Sequence, residues 1–540
     1  MNRRLLALLR TLVLAALVVP RHATASVDTA WVRRWDGSAH QDDWAEAMAL
    51  DSQGNVYITG VTETDTFNGH YDIITLKYSP SGDLLWERQY GSPGAYLERP
   101  YSIAVDRNGN AYIGAIQSDL WTVLKYDSAG ILRWVRHSGS GWCREVSVDS
   151  RGNLPACGRT VRTTPDFTTV EYLPNGDVAW ARYYEEPDEY DFAWALAVSS
   201  QNEVCVAGQC TDSNPGGNYL VVKYDSAGGQ KWVACYDGPR HGADWVSDIA
   251  VDRDGNVIVT GVSDNGYGTP FDYLTVKYNA EGETLWTRRY NGTANGQDEA
   301  RAVAVLVDGA ACVTGFSKGV EGVYEFATVC YSADGVATWT ARFLGPGDGA
   351  KAYAVATDLQ GCSYVTGSAA VVPGAFGDCM TVKYSSLGET LWTRSFSGPG
   401  NAVDAGKAIA VDGVGTVLVA GLSYNASGNS DILTIKYVQN GGVVDDHSVA
   451  QTPEPASSAE PNPFRSQTHL RFSFGDAVRP TLLVFDAAGR KVRTLDGDTD
   501  GDLVVWDGKD DNGLAVPAGV YTIVVETRYG LDQVKVVKLE

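Results

Sequence analysis

One pattern governs the chain. A tyrosine recurs at 78, 126, 172, 224, 278, 331, 384 and 437. A glycine follows each at 82, 130, 176, 228, 282, 335, 388 and 441, and a tryptophan follows that at 86, 134, 180, 232, 286, 339 and 392. A period of about 50 residues is the mark of propellers and solenoids, in which each unit buries its apolar faces against its neighbours. Within a unit the text reads as four strands. Strand one is typified by Ile103-Ala104-Val105-Asp106 and leads into an Asp-x-x-Gly-Asn turn. Strand two ends near a further glycine, seen at 60, 208, 261, 315, 367 and 421, and strand three ends in the anchor tyrosine. A glycine turn then opens strand four, which carries the tryptophan. Alternation along strand three sets Ile74, Leu76 and Tyr78 on one face and Thr75 and Lys77 on the other. The recurring Lys and Trp are expected to pack, with each lysine amine escaping to water past its buried stem.

The ends of the pattern complement each other. The eighth tryptophan is missing, since position 445 is Asp, while Trp31-Val32-Arg33-Arg34-Trp35-Asp36-Gly37 is a spare copy of the tryptophan strand. The expectation is therefore an all-β chain: an eight-bladed β-propeller, with seven blades as the alternative. The N-terminal strand would complete the last blade beside Tyr437. An open solenoid would not need this half-unit.

The repeats, at Gly54-Asn55-Val56-Tyr57-Ile58-Thr59-Gly60, Gly255-Asn256-Val257-Ile258-Val259-Thr260-Gly261 and Leu274-Thr275-Val276-Lys277-Tyr278, resemble the short bacterial β-propeller repeats often described as seven-bladed. Unit three departs most, with Pro155, Cys157 and Glu171 where other units carry strand formers and Lys.

Four spans follow. Residues 1–25 order as a signal peptide: Arg3 and Arg4, an apolar run from Leu12 to Val19, then Ala23-Thr24-Ala25. Residues 26–442 are the propeller. Residues 443–462 are a linker, with Pro453, Pro455 and Pro461 among Ser, Ala and Glu. Residues 463–540 carry strand signals at Leu470–Phe474, Leu482–Asp486, Leu503–Trp506, Val520–Glu526 and Val534–Leu539, which suit a small Ig-like β-sandwich. This tail resembles the sorting domains of type IX secretion cargo and the Ig-like domain of the flagellar hook-capping protein. The resemblance rests on Pro461-Asn462-Pro463-Phe464, Val484-Phe485-Asp486-Ala487-Ala488-Gly489-Arg490, Trp506-Asp507-Gly508-Lys509-Asp510-Asp511-Asn512-Gly513 and Pro517-Ala518-Gly519-Val520-Tyr521. It implies export or attachment through the C-terminal module.

The net charge of −23 argues against nucleic acid and against docking on anionic lipid. Asp496, Asp498, Asp500 and Asp507 fit a calcium loop loosely, yet both flanks read as strand, so a solvated acidic turn is the better reading and no cofactor is expected. Asp252 and Asp254 sit in the repeated hairpin turn, where turn chemistry explains them. The seven His have no metal-ligand spacing, and no nucleophile elbow or phosphate loop stands out. All nine Cys lie in the propeller. Mapped onto one unit, Cys312/Cys330 and Cys362/Cys379 imply different registers, so both pairs cannot lie directly opposite; free buried thiols are the alternative.

Two tight turns share one end of each blade. The strand 2–3 and 4–1 loops share the other, where they are longer and uneven. Binding concentrates on such loops, and these hold Phe67, His70, Tyr71, Tyr96, Trp142, Tyr190, His241, Tyr267 and Tyr324. The expected function is a secreted or outer-surface, monomeric, non-catalytic propeller that binds a protein or glycan through this face, with export machinery met by the tail. The alternatives are a purely structural surface component and a propeller enzyme, carbohydrate-active or quinoprotein-like. Quinoprotein dehydrogenases share eight blades and a Gly-x-x-x-Trp element, here Gly82 to Trp86, but this chain has no adjacent Cys pair.

Overall fold

The computed structural model describes residues 26–539 except 65–69, 93–96, 162–164, 185–189, 212–216, 239–240, 265–269, 346, 348, 371–376, 401, 441–456, 461–463, 473–480, 487–490, 497–502 and 528–529. The expected signal segment and most of the expected linker lie outside the described residues. Every helix-or-strand element described is a strand. Two compact units divide the chain, Met1–Val444 and Asp445–Glu540.

In the first unit, Asp43–Leu50, Val56–Glu63, Tyr71–Tyr78 and Leu84–Tyr90 hydrogen-bond in that order as one antiparallel sheet. The set recurs to give eight blades rather than seven. Blades two and three fuse into one sheet, because Leu132–Val146 runs on from the outer strand of one to the first strand of the next. No loop joins these blades, unlike the long 4–1 loop expected there. First strands pack against first strands around the ring, so they line a central channel.

The Asp-x-x-Gly-Asn turn is built by its aspartate. Asp51 Oδ1 accepts the N–H groups of Gln53 and Asn55, both at 2.9 Å, and Oδ2 accepts the Asn55 amide at 2.7 Å. Gly54 takes φ 77°, which glycine adopts without a Cβ penalty. Asp252 does the same and adds an ion pair with Lys277 at 2.9 Å, so it is committed to the turn.

The lysine amines do not escape, contrary to expectation. Lys223 meets Glu203 at 2.8 Å, and Lys77 donates to the Ser128 carbonyl of the next blade at 3.1 Å. A buried ammonium needs such partners; a turn of its own blade supplies the carboxylate and turns of the next blade supply carbonyls, as Gly255 does for Lys223 at 3.0 Å. Blade three swaps the charges: Glu171 pairs with Arg151 at 3.1 Å.

The Tyr-Gly-Trp period is a latch between blades. Trp86 Nε1 donates to Ser128 O at 3.1 Å, and its ring covers Gly130, where a Cβ would lie 2.8 Å from the indole. Arg88 Nε donates to Gly130 O at 2.6 Å. Trp134 with Arg136 repeats this on Gly176. The ring closes with the same parts. Ser26–Trp35 pairs antiparallel with Ser430–Asn440, Trp31 opposite Lys436. Trp31 Nε1 then donates to Pro80 O at 3.1 Å and Arg33 Nε to Gly82 O at 2.6 Å, latching the last blade onto the first. The apolar cores lie between sheets: Ile58, Ile74 and Leu76 pack with Leu418 and Ile432.

Cys312 and Cys330 are directly opposed and form a disulfide. Cys379 faces Ser368 instead, and Cys362 stays free, as different registers require.

The second unit is a sandwich of a three-stranded and a four-stranded sheet. Its core gathers Phe464, Leu470, Val484, Trp506, Tyr521 and Ile523. Two elements differ from expectation. Ser457–Glu460, inside the expected linker, pairs with Thr468–Phe472, and Lys491–Asp496 is a strand beside Thr481–Phe485. The Tyr521 hydroxyl donates to Pro517 O at 2.7 Å. Asp507 accepts the Lys509 N–H in a turn, while Asp498 and Asp500 lie outside the described residues and so does the Asp496 side chain.

Candidate functional site

The channel is shaped by a defect repeated in every blade. Each first strand carries one residue too many for its partner: Ala45 opposes Gly60 and Ala47 opposes Thr59, leaving Glu46 as a β-bulge. The equivalent bulges are Tyr101, Arg144 and Trp194 in blades two to four. Ser247, Arg301, Tyr353 and Lys407 follow in blades five to eight. A bulge re-aims side chains, and here it turns eight residues of six types into one ring.

The recurring glycine of strand two sits opposite this bulge. A Cβ on Gly60 would lie 2.2 Å from Trp44 O, on Gly261 2.0 Å from Trp245 O and on Gly367 2.0 Å from Lys351 O. The strand does not end there, as the sequence suggested, but runs on, as in Val56–Glu63. The glycine marks the channel strand's kink.

The ring joins aromatic faces to cations. The Arg144 guanidinium lies 4.6 Å from the Tyr101 ring centre and 5.4 Å from that of Trp194. Lys407 sits 4.3 Å over Tyr353. One step toward the long-loop end, Lys351 lies 4.6 Å over both Phe316 and Tyr324, and Arg159 lies 4.1 Å over Trp142. Trp245 is 44% exposed and rests on Phe271 at 5.1 Å. Burial lowers the Lys407 pKa; Glu46 opposes that shift while Arg301 and Arg99 add to it, so these charges sense one another across the channel. A cavity of about 470 Å³ opens here, between blades three and six, walled by Arg144, Trp194, Trp245, Phe271, Glu299 and Arg301.

Two channel carboxylates lie just beyond the bulges. Glu145 Oε2 accepts the Leu196 N–H of the next blade at 3.0 Å, and Asp248 Oδ2 accepts that of Val303 at 2.8 Å. Burial, with the Asp248 charge second, lifts Glu145 to about 8; burial lifts Asp248 to about 6. A second set of buried carboxylates ties the 4–1 loops. Asp43 accepts the Gly37 N–H at 2.6 Å, Asp244 that of Gly238 at 2.8 Å, and Asp404 that of Gly398 at 2.6 Å. Burial pushes Asp43 up to about 6.

The structure places the described residues of the expected face at separate points. Tyr71 packs on Trp44 at 5.6 Å, Tyr324 lines a second cavity near Lys351, and Trp142 flanks the channel. Tyr190 is 56% exposed in a loop. His241 is a loop residue at φ 54°, its imidazole paired with Asp237, as His40 pairs with Asp36. The His70 carbonyl accepts the Thr64 N–H at 2.8 Å. Phe67, Tyr96 and Tyr267 lie outside the described residues. Sequence reading missed the bulge ring; its signal was the strand-two glycine, which fixes the position opposite.

Residues 85–115 match the beta-propeller repeat family, and residues 466–530 match the FlgD Ig-like domain family. No curated protein matches the chain. Among solved structures, the chain is similar to PorZ, an essential bacterial surface component of the type-IX secretion system of Porphyromonas gingivalis, at 11% identity and TM-score 0.36, over 91% of this chain and 70% of that one. It is similar to the Dos1 propeller at 9% identity and TM-score 0.49, over 76% and 96%. Sqt1 from Chaetomium thermophilum is similar at 10% identity and TM-score 0.47, over 77% and 100%.

Proposed function

We propose that this is an exported, monomeric, non-catalytic binding protein of the outer surface or medium. Its propeller holds a protein or glycan at the long-loop end, and its Ig-like module serves export or attachment. The observation that carries this is the bulge ring. Eight rigidly latched blades present a set of aromatic and charged side chains at one mouth, whereas the opposite end is made of turns whose polar groups are spent on themselves. A rigid scaffold with varied residues at one end is the usual arrangement for recognition. No cofactor is invoked.

Retention on host cells tests it. The mature chain should bind, and Ser247→Trp, which fills the mouth, should abolish binding without lowering Tm. Equal retention of both proteins would refute the assigned end. Truncation after Val444 should leave the propeller folded but change where the protein is found in its host; an unchanged location would refute the role given to the tail.

One observation favours a second reading as a carbohydrate-active enzyme: Glu145 holds its proton near neutral pH and senses Asp248. Their bonds to the next blade's backbone favour the structural role. Polysaccharide turnover that vanishes in Glu145→Gln would reverse that preference.

A further inference from the structure

We propose that the channel mouth between blades three and six binds an acidic oligosaccharide, a sugar chain bearing carboxylates. Trp194 and Trp245 would stack on sugar faces, and Arg144 would take a carboxylate. This rests on the long-loop end being the binding end, and adds the site and the ligand class.

The charge argument comes first. The chain carries −23 overall, yet two arginines, Arg144 and Arg301, line this cavity. Arg301 already pairs with Glu299. Arg144 does not: among the described residues its guanidinium forms no ion pair and donates no hydrogen bond, its charge is felt by the neighbouring Glu145, and its contacts are the faces of Tyr101 and Trp194. Both contacts are made to ring faces, and no acceptor among the described residues takes the N–H edge. That edge is a planar fork matched to a carboxylate.

Shape selects the rest of the ligand. The latch tryptophans are covered, such as Trp86 at 8% and Trp286 at 6%. Trp245 is the one tryptophan among the described exposed large apolar residues, and Phe271 backs it. An indole face fixed from behind is a platform. Its negative π face attracts the polarised C–H groups on the flat side of a pyranose. Ser247 and Gln209 stand in the same wall to meet hydroxyls. The cavity, at about 470 Å³, is of the size that takes a small ligand. An acidic peptide would satisfy Arg144 but offers no flat face for Trp245.

Calorimetric titration of the mature chain with hexagalacturonate, neutral maltohexaose and hexaglutamate tests this. Hexagalacturonate should bind, weaken as salt rises, and beat both other probes. Arg144→Gln and Trp245→Ala should each weaken it about tenfold or more, as loss of a charged hydrogen bond would, with Tm unchanged. Equal binding of maltohexaose, or tighter binding of hexaglutamate, overturns the ligand class. Failure of hexagalacturonate to bind, while Ser247→Trp still abolishes retention on cells, overturns this proposal and leaves the binding end standing. Binding that survives both substitutions but is lost in Leu387→Asp, at the tight-turn end, overturns both.

Discussion

Two residue types in this chain do work their composition hides. The strand-two glycines are close-approach residues: Gly367→Ala would press a Cβ against Lys351 O at 2.0 Å. Overpacking of this kind costs roughly 1–3 kcal/mol, so urea denaturation should show a clear loss. Gly413→Ala, where a Cβ meets nothing within 4 Å, should be silent. The buried carboxylates give a pH signature. Glu145 is raised to about 8, and Asp248 and Asp43 to about 6. The folded chain holds these protons more tightly than the unfolded chain, where a Glu titrates near about 4.3. The stability they contribute is present at low pH and is lost as pH rises through the folded values. Tm should therefore fall between pH 6 and 8, and Glu145→Gln should flatten that fall. A Tm that rises over this range would contradict the assignment. The Asp43-type carboxylates escaped the sequence reading, because an Asp six residues after a glycine looks like any acidic loop until its oxygen is seen on the glycine N–H.

At the scale of the strand, most of the architecture was legible. Tyrosine, glycine and tryptophan recur because each turn glycine receives the previous blade's indole, so spacing exposes the repeating unit and the missing eighth tryptophan, while it left seven blades as an alternative to eight. The bulges were not legible. Their residues vary from Glu46 to Trp194 to Lys407, and a ring that varies by design leaves no repeat. The fused strand Leu132–Val146 was hidden likewise, since Gly139 and Gly141 are poor strand formers. In the tail, Lys491–Asp496 was overlooked because its apolar residues, Val492 and Leu495, do not alternate. One prediction belongs here. Deleting residues 26–37 removes the outer strand of the last blade and its Trp31 latch. The Ser430–Asn440 edge is then open, and open edges recruit other chains. Thermal denaturation with light scattering should show a large drop in Tm and self-association; an unchanged Tm would contradict closure.

For the molecule as a whole, the two ends of the propeller are unequal. One end consumes its polar groups in turns: Asp51, Asp106 and Asp252 each accept two backbone N–H groups. The other carries the bulge ring and the uneven loops. The first and last strands, far apart in sequence, are what make the ring rigid enough to present it. The central claim is that a partner sits on the long-loop end. Hydroxyl-radical footprinting of the mature chain, free and bound to host cells, tests it most directly. Both ends carry oxidisable, exposed reporters: Trp245 at 44% at the channel mouth, and Leu387 at 76% and Val414 at 88% in the tight turns. The account predicts that binding shields Trp245 and leaves Leu387 and Val414 as reactive as before. Shielding of Leu387 and Val414 with Trp245 still open would contradict it.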